Sequence, residues 1–196
     1  MTWNFNNAAG LRFNHYNSLV FGNGRYLTTS NSTSVMRTST DGLVWTPVNF
    51  GSDAILGLTF GGGKFVGVAG SGGRIYRSDD GLIWNFVSVP GVTNFYSVTF
   101  GTAKYVAVGG NSQAATSPDA INWTLRDSKA PQILFDVTFA NGLFVAVGGH
   151  GYLSISPDGI TWTLANSDTL NFLQAVVGGV GQFVAVGQTG DILTSP

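Results

Sequence analysis

The stretch Val137-Thr138-Phe139-Ala140-Asn141-Gly142-Leu143-Phe144-Val145-Ala146-Val147, followed by Tyr152-Leu153-Ser154-Ile155-Ser156-Pro157-Asp158-Gly159-Ile160-Thr161-Trp162, decides the fold. Two hydrophobic runs flank an Asn-Gly turn, which reads as a hairpin. A third run ends at Ser156, and a fourth, Trp162-Thr163-Leu164, follows a polar turn. The phrase recurs as Ser39-Thr40-Asp41-Gly42 before Trp45, Ser78-Asp79-Asp80-Gly81 before Trp84, and Ser117-Pro118-Asp119-Ala120 before Trp123. These tryptophans are spaced 39 residues apart, and four short strands per repeat of about 40 residues is the signature of a propeller blade.

Helix is excluded because the 3.6-residue apolar period is missing and glycine interrupts every run. The Phe-Val-Ala-Val runs at Phe144–Val147 and Phe183–Val186 are almost continuously apolar, as suits strands covered on both faces. The last repeat stops at Ser195-Pro196, while Thr2-Trp3-Asn4-Phe5 matches Thr161-Trp162-Thr163-Leu164. The expected architecture is therefore all-β: one five-bladed β-propeller domain over residues 1–196, its last blade completed by a strand at Thr2–Phe5. In the turn phrase, Asp is placed to accept backbone N–H bonds and Gly to take positive φ. Tryptophan then packs between neighbouring blades.

Composition narrows the function. Of 196 residues 10% are charged and the net charge is -1, which gives no basic field for nucleic-acid phosphates. With no cysteine, disulfides, thiolate metal sites and cysteine nucleophiles are excluded. All ten acidic residues are Asp, and with two histidines the chain has few groups for acid–base chemistry near neutral pH. No apolar stretch is long enough to span a bilayer, and Met1 is not followed by a basic segment and hydrophobic run, so neither membrane insertion nor a Sec-type signal is expected. His15 and His150 are single, and Gly61–Gly63 and Gly70–Gly73 are hairpin turns with no helix to receive a phosphate, so no metal or cofactor is expected.

At the Ser-x-Asp-Gly-x-x-Trp phrases the chain resembles the Asp-box (BNR) repeats of sialidase-like propellers, with Asp and Trp one residue closer than in the common family pattern. The Phe-Val-Ala-Val-Gly-Gly context is similar to repeats in phage and bacterial surface proteins. The blade count bears a looser likeness to five-bladed lectins, and photosystem II assembly factors offer an analogy of fold. The resemblance implies a ligand face opposite the Asp-box turns. It does not imply sialidase chemistry, since the chain has no Glu and its six arginines match no such motif.

Comparing the blades with one another separates scaffold from candidate site. One position entering each first strand is always apolar (Tyr16, Ile55, Phe95, Leu134, Leu173) and reads as blade packing. The next varies freely: Asn17, Leu56, Tyr96, Phe135, Gln174. The next is small except at Asp136, which reads as a solvated carboxylate at the channel mouth before it reads as a ligand contact. The candidate ligand contacts are Tyr16, Asn17, Asn94, Tyr96, Phe135, Asp136, Asn171 and Gln174, with Asn111 and His150 from the turns between second and third strands. Aromatic faces among Asn, Gln and Asp suit a sugar, whose ring offers apolar CH patches and paired hydroxyls.

The expected function is a non-enzymatic recognition module for a glycan or surface polysaccharide on a phage particle or bacterial surface, with one weak site per blade acting together. The alternative is a structural tail, fibre or decoration protein, or an assembly factor, docking a protein partner or virion components. A glycosidase would draw on Asp136, Asp53 and Asp168.

Overall fold

The computed structural model describes residues 16–30 and 35–195. Blade 1 consists of β1 (Tyr16–Gly22), β2 (Arg25–Ser30), β3 (Met36–Ser39) and β4 (Thr46–Val48), and blade 2 of β5 (Ile55–Gly61), β6 (Lys64–Ala69), β7 (Arg74–Ser78) and β8 (Asn85–Ser88). Blade 3 comprises β9 (Phe95–Gly101), β10 (Lys104–Gly109), β11 (Gln113–Ser117) and β12 (Thr124–Asp127). Blade 4 comprises β13 (Leu134–Ala140), β14 (Leu143–Gly148), β15 (Leu153–Ser156) and β16 (Thr163–Ala165), and blade 5 holds β17 (Leu173–Gly178), β18 (Phe183–Gly187) and β19 (Ile192–Thr194). Every sheet is an antiparallel meander in chain order, and the five stand in a ring as a β-propeller. Among the described residues blade 5 has three strands; Thr2–Phe5, expected to be its fourth, lies outside them. No helix among the described residues is long and apolar enough to cross a membrane.

The hydrophobic core lies between blades. Leu27, Met36 and Phe50 of blade 1 meet Ile55, Phe65 and Tyr76 of blade 2, with Trp84 packed against them. Trp123 joins the cluster between blades 2 and 3, and Trp162, 3% exposed, the cluster between blades 3 and 4. Trp84, Trp123 and Trp162 thus pack at the interface between their own blade and the preceding one. At the blade 4/5 interface a cavity of about 580 Å³ is lined by Val145, Leu153, Ile155, Val176, Phe183 and Leu193.

First strands pack closely, and small residues decide how closely. A Cβ built on Gly22, Gly61 or Gly101, each the last residue of its first strand, would strike the ring of Phe60, Phe100 or Phe139 of the next blade. At the blade 4/5 interface the partners change together. Ala140 takes the glycine's place, and Gly178 the phenylalanine's, so that a Cβ on Gly178 would strike that of Ala140.

The turn phrase behaves as its residues require. Asp41 Oδ1 accepts the N–H groups of Leu43 and Val44 at 2.8 and 2.9 Å and the hydroxyl of Ser39 at 2.9 Å, and Ser39 Oγ accepts the Gly42 N–H at 2.9 Å. Asp80, Asp119 and Asp158 repeat the arrangement on their own turns. Gly42, Gly81 and Gly159 take φ of 74°, 75° and 71°, and Ala120 is held at 60°. The indole N–H groups of Trp45 and Trp162 close their turns by donating to the carbonyls of Gly42 and Gly159.

These bonds favour the charged carboxylate. The amides of Val44 and Leu43 hold Asp41 below its ordinary range, those of Ile83 and Leu82 do so for Asp80, and those of Thr161 and Ile160 for Asp158. Asp119 falls furthest, because the Asn122 side chain donates in addition to the amides of Asn122 and Ile121. A carboxyl whose folded pKa lies below its unfolded value stabilises the fold above the unfolded value and loses that contribution as pH falls through the folded one. The urea midpoint is therefore expected to drop below about pH 4, where unfolded aspartates titrate, as all four turns lose their acceptors. A midpoint that does not change down to pH 2.5 would contradict this account.

Candidate functional site

The connections between fourth and first strands share one face with the turns between second and third strands. Gly149 N–H donates to Ile133 O at 2.8 Å, Gln188 N–H to Phe172 O at 2.9 Å and Gly70 N–H to Ala54 O at 3.2 Å. The aspartate turns lie at the other end of the sheets, so the face chosen from sequence is the one opposite them.

On that face the freely varying residues have a common cause of position. In all five blades the first strand carries a β-bulge there, so that Asn17, Leu56, Tyr96, Phe135 and Gln174 have no cross-strand partner. A bulge re-aims the side chain of its extra residue. These five residues line one pocket of about 390 Å³ at the channel mouth, above Ser18, Gly57, Ser97, Asp136 and Ala175. The separate sites expected on each blade are thus one shared pocket. Leu56, Tyr96 and Phe135 give it an apolar arc on blades 2 to 4; Gln174 and Asn17 give it an amide arc on blades 5 and 1. Asn17 Nδ2 donates to Leu56 O at 2.9 Å, which directs its carbonyl oxygen away from that bond.

The other candidates are placed differently. Asn94 donates to Tyr96 Oη at 2.7 Å and accepts from Thr93 Oγ1 at 3.0 Å, so it positions the tyrosine. Asn171 donates to Thr189 Oγ1 and Asp191 Oδ2 at 2.8 and 3.1 Å, fixing the loop that enters blade 5. His150 crests the blade 4 turn at φ 54°, exposed, its ring 5.7 Å from that of Phe172. Phe172 in turn lies 5.9 Å from Phe135; it was not among the residues singled out by sequence. Asn111 crests the blade 3 turn at φ 54° and does not line the pocket, nor does Tyr16. Ile55, Phe95, Leu134 and Leu173 are at most 1% exposed, as expected of packing residues, whereas Tyr16 is 37% exposed.

Asp136 is recessed in the pocket floor, where one oxygen accepts from Ser97 Oγ at 2.8 Å and from its own neighbour Val137 N–H at 2.9 Å. The other accepts Val176 N–H of blade 5 at 2.9 Å. Burial pushes its carboxyl above the ordinary value, and these donors only partly offset that. Asp53, 7% exposed, is bound by Arg74 Nη1 at 2.8 and 2.9 Å and by Tyr76 Oη at 2.6 Å, and Tyr76 is pushed up to about 12 by burial and by this carboxylate. Burial alone would raise Asp53, but the bonds from Tyr76 and Arg74 and the guanidinium charge bring it below the usual range. Asp168 lines the cavity between blades 4 and 5. The three carboxylates are not gathered in one pocket. No group of three or more His, Asp or Glu side chains among the described residues is arranged to hold a metal ion.

No family model and no curated protein matches the chain by sequence. Solved structures do resemble it in fold. Virginiamycin B lyase from Staphylococcus aureus superposes with a TM-score of 0.76 at 15% identity, over 91% of this chain and 68% of the lyase. YCF48 from Cyanidioschyzon merolae gives 0.70 at 13% identity, over 96% and 71%. The computationally designed Ika8 protein gives 0.72 at 13% identity, over 92% of this chain and 57% of that one, so the chain spans little more than half of the designed protein's length. At such identities the likeness establishes a β-propeller, a scaffold compatible with binding or docking.

Proposed function

We propose that the chain is a non-enzymatic recognition module that takes a carbohydrate in the channel mouth, at the surface of a phage particle or bacterium. The observation that carries this reading is the division of one pocket into an apolar arc (Leu56, Tyr96, Phe135) and an amide arc (Asn17, Gln174). A pyranose has the matching two-sided character: its CH face packs on an aromatic ring while its hydroxyls exchange hydrogen bonds with amides. Side chains held on strands, as these are, are positioned with little loss of conformational freedom on binding. The likeness of the turns to Asp-box repeats supports the same choice of face.

The test is a broad glycan array with the purified protein, each hit confirmed by competition with free sugar. Tyr96→Ala and Phe135→Ala are expected to weaken a confirmed hit by at least about tenfold while leaving the circular dichroism spectrum unchanged. Binding of no glycan at high protein concentration, or unchanged binding by both variants, overturns the reading. A protein-docking scaffold is the second reading. It is favoured by the apolar pairs on the aspartate turns, where Leu43 and Val44 are 59% and 67% exposed and Ile83 71%.

A further inference from the structure

We infer that the pocket is the inner end of a longer groove, and that the ligand is a linear oligosaccharide whose terminal unit sits in the pocket while its next units lie outward over blades 4 and 5. This deepens the carbohydrate reading and rests on it. Four rings touch in succession, each tilted against the next: Tyr96 to Phe135 at 5.8 Å and 80°, Phe135 to Phe172 at 5.9 Å and 43°, and Phe172 to His150 at 5.7 Å and 51°. The first two line the pocket, and the last two lie outside it, so the row leads out of the mouth. Each step is close to the length of one pyranose unit.

Packing of the scaffold does not require this row. The repeat places the same positions in every blade, yet where blade 5 has Phe172 blades 1 to 4 have His15, Ala54, Asn94 and Ile133, and where blade 4 has Phe135 blade 2 has Leu56. At these two positions phenylalanine and tyrosine occur only on blades 3 to 5, as Tyr96, Phe135 and Phe172. They are also held in place. Asn94 bonds the Tyr96 hydroxyl, Asn171 ties the loop carrying Phe172 to Thr189 and Asp191, and the His150 turn is fixed by Gly149 N–H on Ile133 O and Tyr152 N–H on Gly149 O. A pre-positioned row of rings favours a ligand with repeated flat apolar faces. The amides at the inner end, and the absence of Lys or Arg among the pocket-lining residues, disfavour an anionic sugar chain.

The experiment titrates the full chain by calorimetry with ladders of chitin, cello- and galacto-oligosaccharides from monosaccharide to tetrasaccharide. One ladder is expected to bind with one site per chain and to gain roughly 2- to 10-fold in affinity for each unit that reaches a further ring. Phe172→Ala and His150→Ala should remove that gain and leave the monosaccharide affinity unchanged, whereas Tyr96→Ala weakens every length. Phe172→Leu keeps apolar bulk without the ring and should behave as Phe172→Ala, which guards against a folding defect. Length-independent affinity, several monosaccharides bound per chain, or equal loss for short and long sugars in Phe172→Leu would overturn the groove while leaving the carbohydrate reading intact. No binding by any ladder, or binding of an oligoproline peptide in their place, overturns both.

Discussion

Gly101→Ala is expected to cost about 3 kcal/mol, a large effect for one methyl group, because the new Cβ would lie within the ring of Phe139. The strand cannot yield cheaply, since β9 is hydrogen-bonded to β10 and packed between β5 and β13. Phe139→Gly should cost about 3–5 kcal/mol by itself, through lost burial and the cavity it leaves. The two together should cost no more than Phe139→Gly alone, a coupling of about 3 kcal/mol in a double-mutant cycle followed by urea unfolding. The blade 4/5 interface already displays that end state, in the pair Ala140 and Gly178. The reverse exchange is therefore also expected to work: Gly178→Phe should destabilise alone and recover to within about 1.5 kcal/mol when Ala140→Gly is added. Simple additivity in both cycles would show that the phenylalanine does not need the glycine.

These pairs bear on how much of the molecule could be read in advance. The strands and turns were legible because each is announced by residue type. Asn-Gly and Gly-Gly mark the hairpins of blades 1, 2 and 4, while that of blade 3 turns on Thr102-Ala103 at φ 48° and 57°, and the aspartate turn needs an acceptor, a positive φ and an indole in fixed order. The fourth strands start one residue past Trp45, Trp84, Trp123 and Trp162, as at Thr46 and Asn85, and the third strand of blade 4 starts at Leu153, one past Tyr152. The glycine–phenylalanine pairs, by contrast, join residues on neighbouring blades, and nothing local distinguishes Gly101 from a turn glycine. Sequence therefore supplied the repeat, and tertiary packing supplied the reason that it varies at Ala140 and Gly178.

The site shows the same division. Asn17, Tyr96, Phe135 and Gln174 are legible because internal comparison picks out a position that varies inside a constant frame; Leu56, at the same position, lines the pocket without being among the candidate contacts. That they share one pocket depends on the bulge, and no residue type marks a bulge at that point. Phe172 is not legible in the sequence because its equivalents, His15, Ala54, Asn94 and Ile133, look like drift; its meaning comes from standing 5.9 Å from Phe135 on the neighbouring blade. Asn94 and Asn171 were chosen as ligand contacts for their amides, but both amides have partners within the protein.

Asp136→Ala is the second substitution expected to have a large effect, and its partners explain why. Removing the carboxylate leaves Val176 N–H, and in part Val137 N–H and the Ser97 hydroxyl, without an acceptor in a recessed place, at a cost of roughly 2–4 kcal/mol. Blade 1 shows what the carboxylate does. Ser18, at the equivalent position, accepts the N–H of Leu58 on the next blade at 3.0 Å, as Asp136 accepts that of Val176. Both residues fasten one inner strand to the next. Asp136→Ser should therefore retain most of the stability that Asp136→Ala loses, while Asp136→Asn, whose amide can present a donor to Val176 N–H, should fall between them. The pH dependence has the opposite sign to that of the turn aspartates. Because burial raises the Asp136 carboxyl in the folded state, its ionisation costs stability as pH rises from the unfolded value to the folded one. Asp136→Ser should remove that component and leave the acid loss of the four turns in place. Urea midpoints for the three variants between pH 3 and 7 decide the matter. If serine is as damaging as alanine, a hydroxyl does not replace the carboxylate as acceptor for Val176 N–H, and the likeness of Asp136 to Ser18 as a fastener of inner strands fails.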